Sequence, residues 1–412
     1  MKKQIKSKIK HTFRALNHYY FRLFWAGQWI SVTGTWMQTM ALSWLIYRMT
    51  NSPMALGFLA IARFGPTLIG SPFAGVIADK FQRRRIVIIT QSLSMIQAGV
   101  LATLTLTGII EIWQIFLIAC FQGCVDTVDM TARQTLQMDI VGPGDLQSAI
   151  SLNSAAFNAG RIVGPGLAGV IVAIWGEGIC FLLNSVSYLA VLISLIIIKV
   201  TGDIKKPESS IRKEILEGVK YVWSAIDIRK LIFSIAITSG VGQAALMTLT
   251  PIFAKDILKA GPTGYGTLLA GSGIGAIFGA LITASRNGNQ GTFLINALGQ
   301  GTLGIGIIAV ALTPHIEICV LWMVMIGMSI SMQLSSTNAY LQTNSPTHLR
   351  GRVISIYIWI FSGFSPLGSM VAGFIAEHAG VIATAIICGS ICLFGSVFYG
   401  IIPIMKRRER SA

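Results

Sequence analysis

The chain has 412 residues, of which 53% are apolar and only 12% charged, and it carries a formal charge of +16. Soluble globules hold roughly 25% charged residues, so a soluble fold is excluded. The cations gather between long apolar runs and form no basic face with interleaved aromatics, which excludes nucleic-acid binding and leaves a membrane protein.

Lys2, Lys3, Lys6, Lys8, Lys10 and Arg14 precede the first apolar run, near 20–47. That run is too long for a cleaved signal and lacks a small-residue cleavage site, so it reads as a retained first span. Eleven more runs long enough to cross a bilayer follow near 53–78, 85–108, 112–132, 147–174, 178–199, 230–254, 265–285, 292–311, 316–338, 351–376 and 380–404. Odd-numbered connections hold few cations (Arg48, Lys255, Lys259). Even-numbered ones and both termini hold many: Lys80 to Arg85, Lys199 to Lys230, Arg350 and Arg352, and Lys406 to Arg410. The asymmetry places both termini in the cytoplasm. The expectation is an all-α membrane protein with twelve transmembrane helices in two six-helix bundles, 1–199 and 230–412. Between them, 200–229 reads as a cytoplasmic linker. There Ile211, Ile215, Val219, Val222 and Ile226 recur at helical spacing opposite Arg212, Lys213, Glu217 and Lys220, as in a helix lying on the inner leaflet. The six cysteines (Cys120, Cys124, Cys180, Cys319, Cys388, Cys392) lie within or beside apolar runs and read as small core residues.

The halves repeat. Gly75 and its basic loop recur as Gly279 and Arg286. Asp145-Leu146 before the fifth span recurs as His348 to Arg352 before the eleventh. Gly169 maps onto Gly373 at the same shift. Two matching halves are what a rocking carrier with a central site uses.

The second connection reads Gly75-Val76-Ile77-Ala78-Asp79-Lys80-Phe81-Gln82-Arg83-Arg84-Arg85. Gly75 lets a neighbouring helix come close, and Asp79 stands where it can meet the positive end of another helix. The stretch resembles the signature of the major facilitator superfamily, with Gln82 where that signature has a second glycine. The resemblance implies the major facilitator fold and a cytoplasmic gate made by Gly75, Asp79, Lys80, Arg83, Arg84, Arg133, Arg350 and Arg352.

An ionisable side chain at membrane depth costs about 3 kcal/mol on insertion scales and is a functional candidate by default. Of the sixteen carboxylates, only Asp126 and Asp129 in the fourth span fall inside the apolar layer. Three residues apart, they share a helix face. Burial and mutual repulsion suit them to taking up and releasing protons, Asp126 first. The plainer reading is structural pairing with Arg133, Arg161 or Arg63.

The fifth span carries Gly160-Arg161-Ile162-Val163-Gly164-Pro165-Gly166-Leu167-Ala168-Gly169. Glycines four apart permit close helix packing, and Pro165 favours a bend. The stretch is similar to the antiporter signature of the superfamily, with Ala168 replacing one glycine. Antiporters of this kind carry an arginine shortly before the Gln-Gly of the fourth span. Here Ala119 holds that place before Gln122-Gly123, which offers Arg161 as a substitute in proton coupling. The stretch Arg48 to Gly57, Arg63 with Pro66, Ala132-Arg133-Gln134 and Leu349 to Val353 resemble the enterobactin-exporter and macrolide or multidrug branch.

A mixed polar and aromatic cavity is expected from Gln28, Trp29, Trp36, Gln38, Arg63, Gln243, Met247, Gln333, Asn338, Trp359, Phe361 and Phe364. It suits amphipathic molecules. Gly299 to Gly304 spells a dinucleotide motif but lies inside an apolar run with no preceding strand. No Gly-Lys-Ser/Thr loop and no Ser/His/Asp arrangement points to an enzyme, and no cofactor or metal is expected. The expected partners are protons, membrane lipids and a small-molecule substrate, with the chain a monomer in the bacterial cytoplasmic membrane. The resemblance implies proton-coupled efflux by alternating access. A proton-independent uniporter or importer, and a non-transporting sensor or lipid scramblase, stay open.

Overall fold

A computed structural model describes residues 13–198, 211–286 and 291–401, with backbone alone at 71–79, 211–215, 400 and 401. Apolar runs of spanning length satisfy their own backbone hydrogen bonds as helices, and the described residues contain no strand. In chain order these are α1 (Tyr19–Thr50), α2 (Pro53–Lys80), α3 (Arg83–Leu106), α4 (Ile112–Trp175) and α5 (Glu177–Ile197). They continue as α6 (Ile211–Ser224), α7 (Ile226–Ile257), α8 (Gly261–Ala284), α9 (Thr292–Leu312), α10 (Ile316–Asn344), α11 (Arg350–Ala379) and α12 (Val381–Tyr399).

Ten of these helices are long and apolar enough to cross a membrane. One of them, α4, has 64 residues and holds both the fourth and fifth expected spans, folded back at Gly142 (φ 72, ψ 172). That conformation is open to glycine and costly for any other residue. The first span, α1, is long enough at 32 residues but is diluted by Arg22, Gln28 and Gln38. Each expected run therefore lies in a helix over its described residues, with 199 and 402–404 outside them. The dinucleotide-like stretch is ordinary α9, where a Cβ on Gly304 would stand 2.6 Å from the Gly389 carbonyl oxygen.

The chain divides into two compact units, Met1–Leu42 with Ile69–Glu208, and Ser43–Leu68 with Ser209–Ala412. Residues 43–68 thus pack with the second unit. Glycine explains it. A Cβ on Gly57 would lie 2.8 Å from the backbone of Met370, and one on Gly373 would lie 2.6 Å from the Pro53 carbonyl oxygen. The early turns of α2 and the late turns of α11 therefore meet backbone to backbone.

The core of the first unit joins Phe21 and Phe24 of α1, Val87 of α3, Leu136 and Leu152 of α4 and Leu195 of α5. In the second, Val222 of α6 packs with Ile228, Ile232 and Ile235 of α7, Leu341 of α10, and Val353 and Tyr357 of α11. The expected single apolar face of the linker helix is split. Val222 enters the core, while Leu216, Val219, Trp223 and Ile226 are exposed. Glu217 pairs with Arg352 of α11. Cys120 and Cys124 are exposed and not core residues, whereas the other four cysteines are buried.

Candidate functional site

The third span supplies a polar edge at helical spacing: Thr90, Gln91, Ser94 and Gln97, all buried. Buried polar groups need partners, and the facing helices provide them. Asp129 of α4 is 4% exposed. Its Oδ1 accepts from Thr90 Oγ1 at 2.6 Å and from Gln91 Nε2 at 2.9 Å. Its Oδ2 accepts from Arg133 one turn further along α4. Three donors, one of them a guanidinium, thus converge on this carboxylate.

Asp126 is half-buried one turn away, where its Oδ1 accepts from Gln122 Nε2 at 2.8 Å. The same amide also reaches Ser94 Oγ at 2.9 Å. Arg133 lies within electrostatic reach of Asp126 as well as of Asp129. Beyond Ser94 the seam continues: Gln38 of α1 donates to Gln97 at 3.2 Å and accepts from Asn184 of α5 at 2.7 Å. Gln91 Oε1, Gln122 Oε1, Gln97 Nε2 and Arg133 Nε are buried along it without a partner among the described residues. Such atoms in a polar setting are places for bridging water. The first unit thus carries a continuous polar seam through an apolar body, with two acids at one end.

Sequence reasoning picked out Asp126, Asp129 and Arg133, and the structure brings them together. It did not find Thr90, Gln91, Ser94 and Gln97, whose recurrence on one helix face was the available signal. It also did not find Asp139, which takes both oxygens to Arg83 Nη1, at 2.7 and 2.9 Å. Arg84 donates to the carbonyls of Leu195 and Ile196 at 2.7 and 3.1 Å, capping the last turn of α5 as a cation should. Lys80 is exposed at the end of α2, and Arg350 is partly buried. Gly75 and Asp79 lie where the structure describes the backbone alone.

Gly160 and Gly164 do what close packing asks of them. Cβ atoms there would stand 2.9 Å from Val32 Cγ1 and 2.7 Å from the Thr33 carbonyl oxygen of α1. Pro165 and Gly169 are buried in the same arm. Arg161 is partly buried and makes no hydrogen bond or ion pair with any described residue.

The expected cavity residues divide. Gln28, Gln38 and Gln333 are buried, Gln38 in the seam and Gln333 between Thr238 at 2.9 Å and Ser234 at 3.1 Å. In this structure all three lie between helices, Gln38 bonded to neighbouring amides and Gln333 to neighbouring hydroxyls. Trp29, Trp359 and Phe364 are exposed. Trp36 meets Phe157 edge-on at 5.5 Å. Arg63 lies over the Phe64 ring at 5.7 Å, and Met247 takes a contact from Ser365 Oγ at 3.6 Å. Phe361 gives its carbonyl to Ser239, Asn338 accepts from Gln342 at 2.7 Å, and Gln243 is partly buried.

In the second unit the turn between α1 and α2 is clasped. Asn51 holds φ 50, and its Oδ1 accepts from Lys255 Nζ at 2.5 Å. Tyr47 donates to Asp256. Ser52 caps α2 through Ala55 N at 3.2 Å, and Glu377 of α11 accepts from Ser52 Oγ at 2.8 Å and Met54 N at 3.3 Å. A carboxylate on a helix N-terminus is favoured by the exposed amides and the helix dipole.

The family model of the transmembrane secretion effectors, MFS_3, matches residues 10–411. The chain is a major facilitator transporter. It is 27% identical to the multidrug efflux pump Tap of Mycolicibacterium fortuitum, over 85% of this chain and 88% of that one. It is 28% identical to the staphyloferrin A transporter of Staphylococcus aureus, over 92% and 95%. Among solved structures, a bacterial homolog of the human lysosomal transporter Spinster superposes with a TM-score of 0.72 at 14% identity, covering 93% of this chain and 97% of that one. That likeness shows the fold. This transporter is a multi-pass membrane protein for small molecules and belongs to a family of carriers, not enzymes.

Proposed function

We propose that this transporter exports amphipathic small molecules in exchange for protons by alternating access, with both termini in the cytoplasm. One observation carries the reading: two acids of one span sit in unlike company. Asp129 is clamped by Thr90, Gln91 and Arg133. Asp126 is half-buried on a seam that holds buried polar atoms without partners among the described residues. A fixed charge next to a carboxyl that can change its charge is the arrangement a proton-coupled carrier needs, since coupling requires one group to exchange its proton as access switches. Asp126 is the proton carrier in this scheme, and Asp129 with Arg133 fixes the field around it.

The relatives named for multidrug efflux and for staphyloferrin A support export, and the exposed Trp29, Trp359 and Phe364 support an amphipathic cargo. The test is dye efflux from cells in the presence and absence of an uncoupler. Uncoupler-sensitive efflux by the natural chain, lost in Asp126→Asn with the protein still in the membrane, is the expected result. Full uncoupler-sensitive efflux by Asp126→Asn removes Asp126 from the mechanism. Substrate movement indifferent to pH and membrane potential makes the protein a uniporter.

A further inference from the structure

The second arm of α4 carries a pattern that proton coupling does not use. Val163, Leu167, Val170 and Ile174 are exposed apolar residues on one stripe, as expected of a lipid-facing side. At about 100° per residue, Gln147, Ser151, Ser154, Asn158 and Arg161 form a second stripe on roughly the opposite side. Gln147, Ser151 and Ser154 are exposed, and Asn158 and Arg161 are partly so. The hydroxyl and amide groups along it are only lightly committed: Ser151 Oγ donates to the Gln147 carbonyl at 2.8 Å and Asn158 Nδ2 to the Ser154 carbonyl at 2.9 Å, both within the helix.

The polar track ends at Arg161, where the surroundings become aromatic. Phe157, one turn before it, is 48% exposed and meets the Trp36 ring. Gly164, one turn after it, lies against Trp36 Cβ. Residues 157, 161 and 164 share one face of the helix, so Arg161 leaves α4 on the face that carries the Phe157–Trp36 pair. Other arginines of these helices have partners: Arg133 has Asp129, Arg83 has Asp139, and Arg84 has two carbonyls. Arg161 has none among the described residues. A guanidinium kept at membrane depth without a counter-charge is costly, and an arriving anion relieves that cost.

We propose that the arc formed by Phe157, Trp36 and Arg161 binds an amphipathic organic anion, with Arg161 holding a carboxylate and the two rings covering the apolar part. The track from Gln147 to Asn158 wets its approach. The proposal names the substrate class of the exporter proposed above and rests on that reading. It replaces proton coupling as the role of Arg161.

Equilibrium binding to the purified full-length protein tests it without any need for a proton gradient. The probes are carboxyfluorescein as the aromatic anion and ethidium as the aromatic cation, followed by fluorescence anisotropy. Arg161→Gln should weaken carboxyfluorescein binding by about tenfold or more and leave ethidium unchanged, as loss of a charge-assisted contact predicts. Arg161→Lys should restore most of it, because the point charge persists while the bidentate fork is lost. Phe157→Ala, which keeps the charge, should weaken both dyes. No carboxyfluorescein binding by the natural chain, unchanged binding in Arg161→Gln, or equal loss of both dyes in that variant overturns the proposal. An Arg161→Gln protein that does not fold leaves Arg161→Lys and Phe157→Ala to decide. Normal anion binding with no proton-driven efflux would instead retire the coupling scheme and keep the site.

Discussion

Asp126 and Asp129 are separated by one turn, and their neighbours assign them different work. Asp129 is the counter-charge of Arg133, so Asp129→Asn leaves a guanidinium buried without its partner. Breaking such a pair costs about 3 kcal/mol, to be seen as a clear fall in the melting temperature of the detergent-purified protein. Asp126→Asn should lower it much less, since an amide still meets Gln122. Equal falls for the two variants would show that both acids are structural. Thr90→Val should fall between them, with a loss of about 1–3 kcal/mol for the hydrogen bond given to a charged group. The acids themselves were legible in the sequence, because an aspartate inside an apolar run stands out. Their donors were not. Thr90 and Gln91 are unremarkable in a spanning helix, and only the facing of α3 with α4 reveals what they do. The pairing of Asp139 with Arg83 was likewise out of reach, because the two are 56 positions apart in the chain and meet only through the packing of α3 on α4.

At the scale of a helix, the turn between α1 and α2 explains why the stretch Arg48 to Gly57 has the composition it has. Asn51 accepts a backbone conformation that suits few other residues, Ser52 caps the next helix, Pro53 starts it, and Gly57 admits the backbone of α11. Gly57→Leu should therefore cost about 1–3 kcal/mol by overpacking, and Ser52→Ala about 1 kcal/mol through the lost cap. Melting temperatures check both, and a neutral Gly57→Leu would mean that the two helices separate freely. Hydropathy made the helices themselves readable. It did not show how short the break between the fourth and fifth spans is, where Gly142 alone leaves helical backbone inside α4. Nor did it give the two-sided character of α6, whose apolar residues serve both the core and the exposed side. Periodicity counts apolar residues without saying what each one faces.

The molecule as a whole keeps the repeat that its sequence suggests. Gly176 and Gly380, at the same shift that relates Gly169 to Gly373, both hold positive φ (81° and 88°) at the turn before a final helix. Twelve spans and a superfamily signature were therefore within reach of the sequence, whereas the membership of residues 43–68 in the second unit was not. That membership depends on glycine contacts between segments more than three hundred residues apart.

The ownership of that segment has a practical corollary. If the gene is cut so that 1–198 and 211–412 are made as separate polypeptides, the leading piece carries a stretch whose supporting surfaces, on α7 and α11, are encoded by the other. Made alone, it should be degraded or aggregate; made together, the two pieces should rescue each other and co-purify. Stable accumulation of the leading piece by itself would show that its α1–α2 turn finds shelter without help.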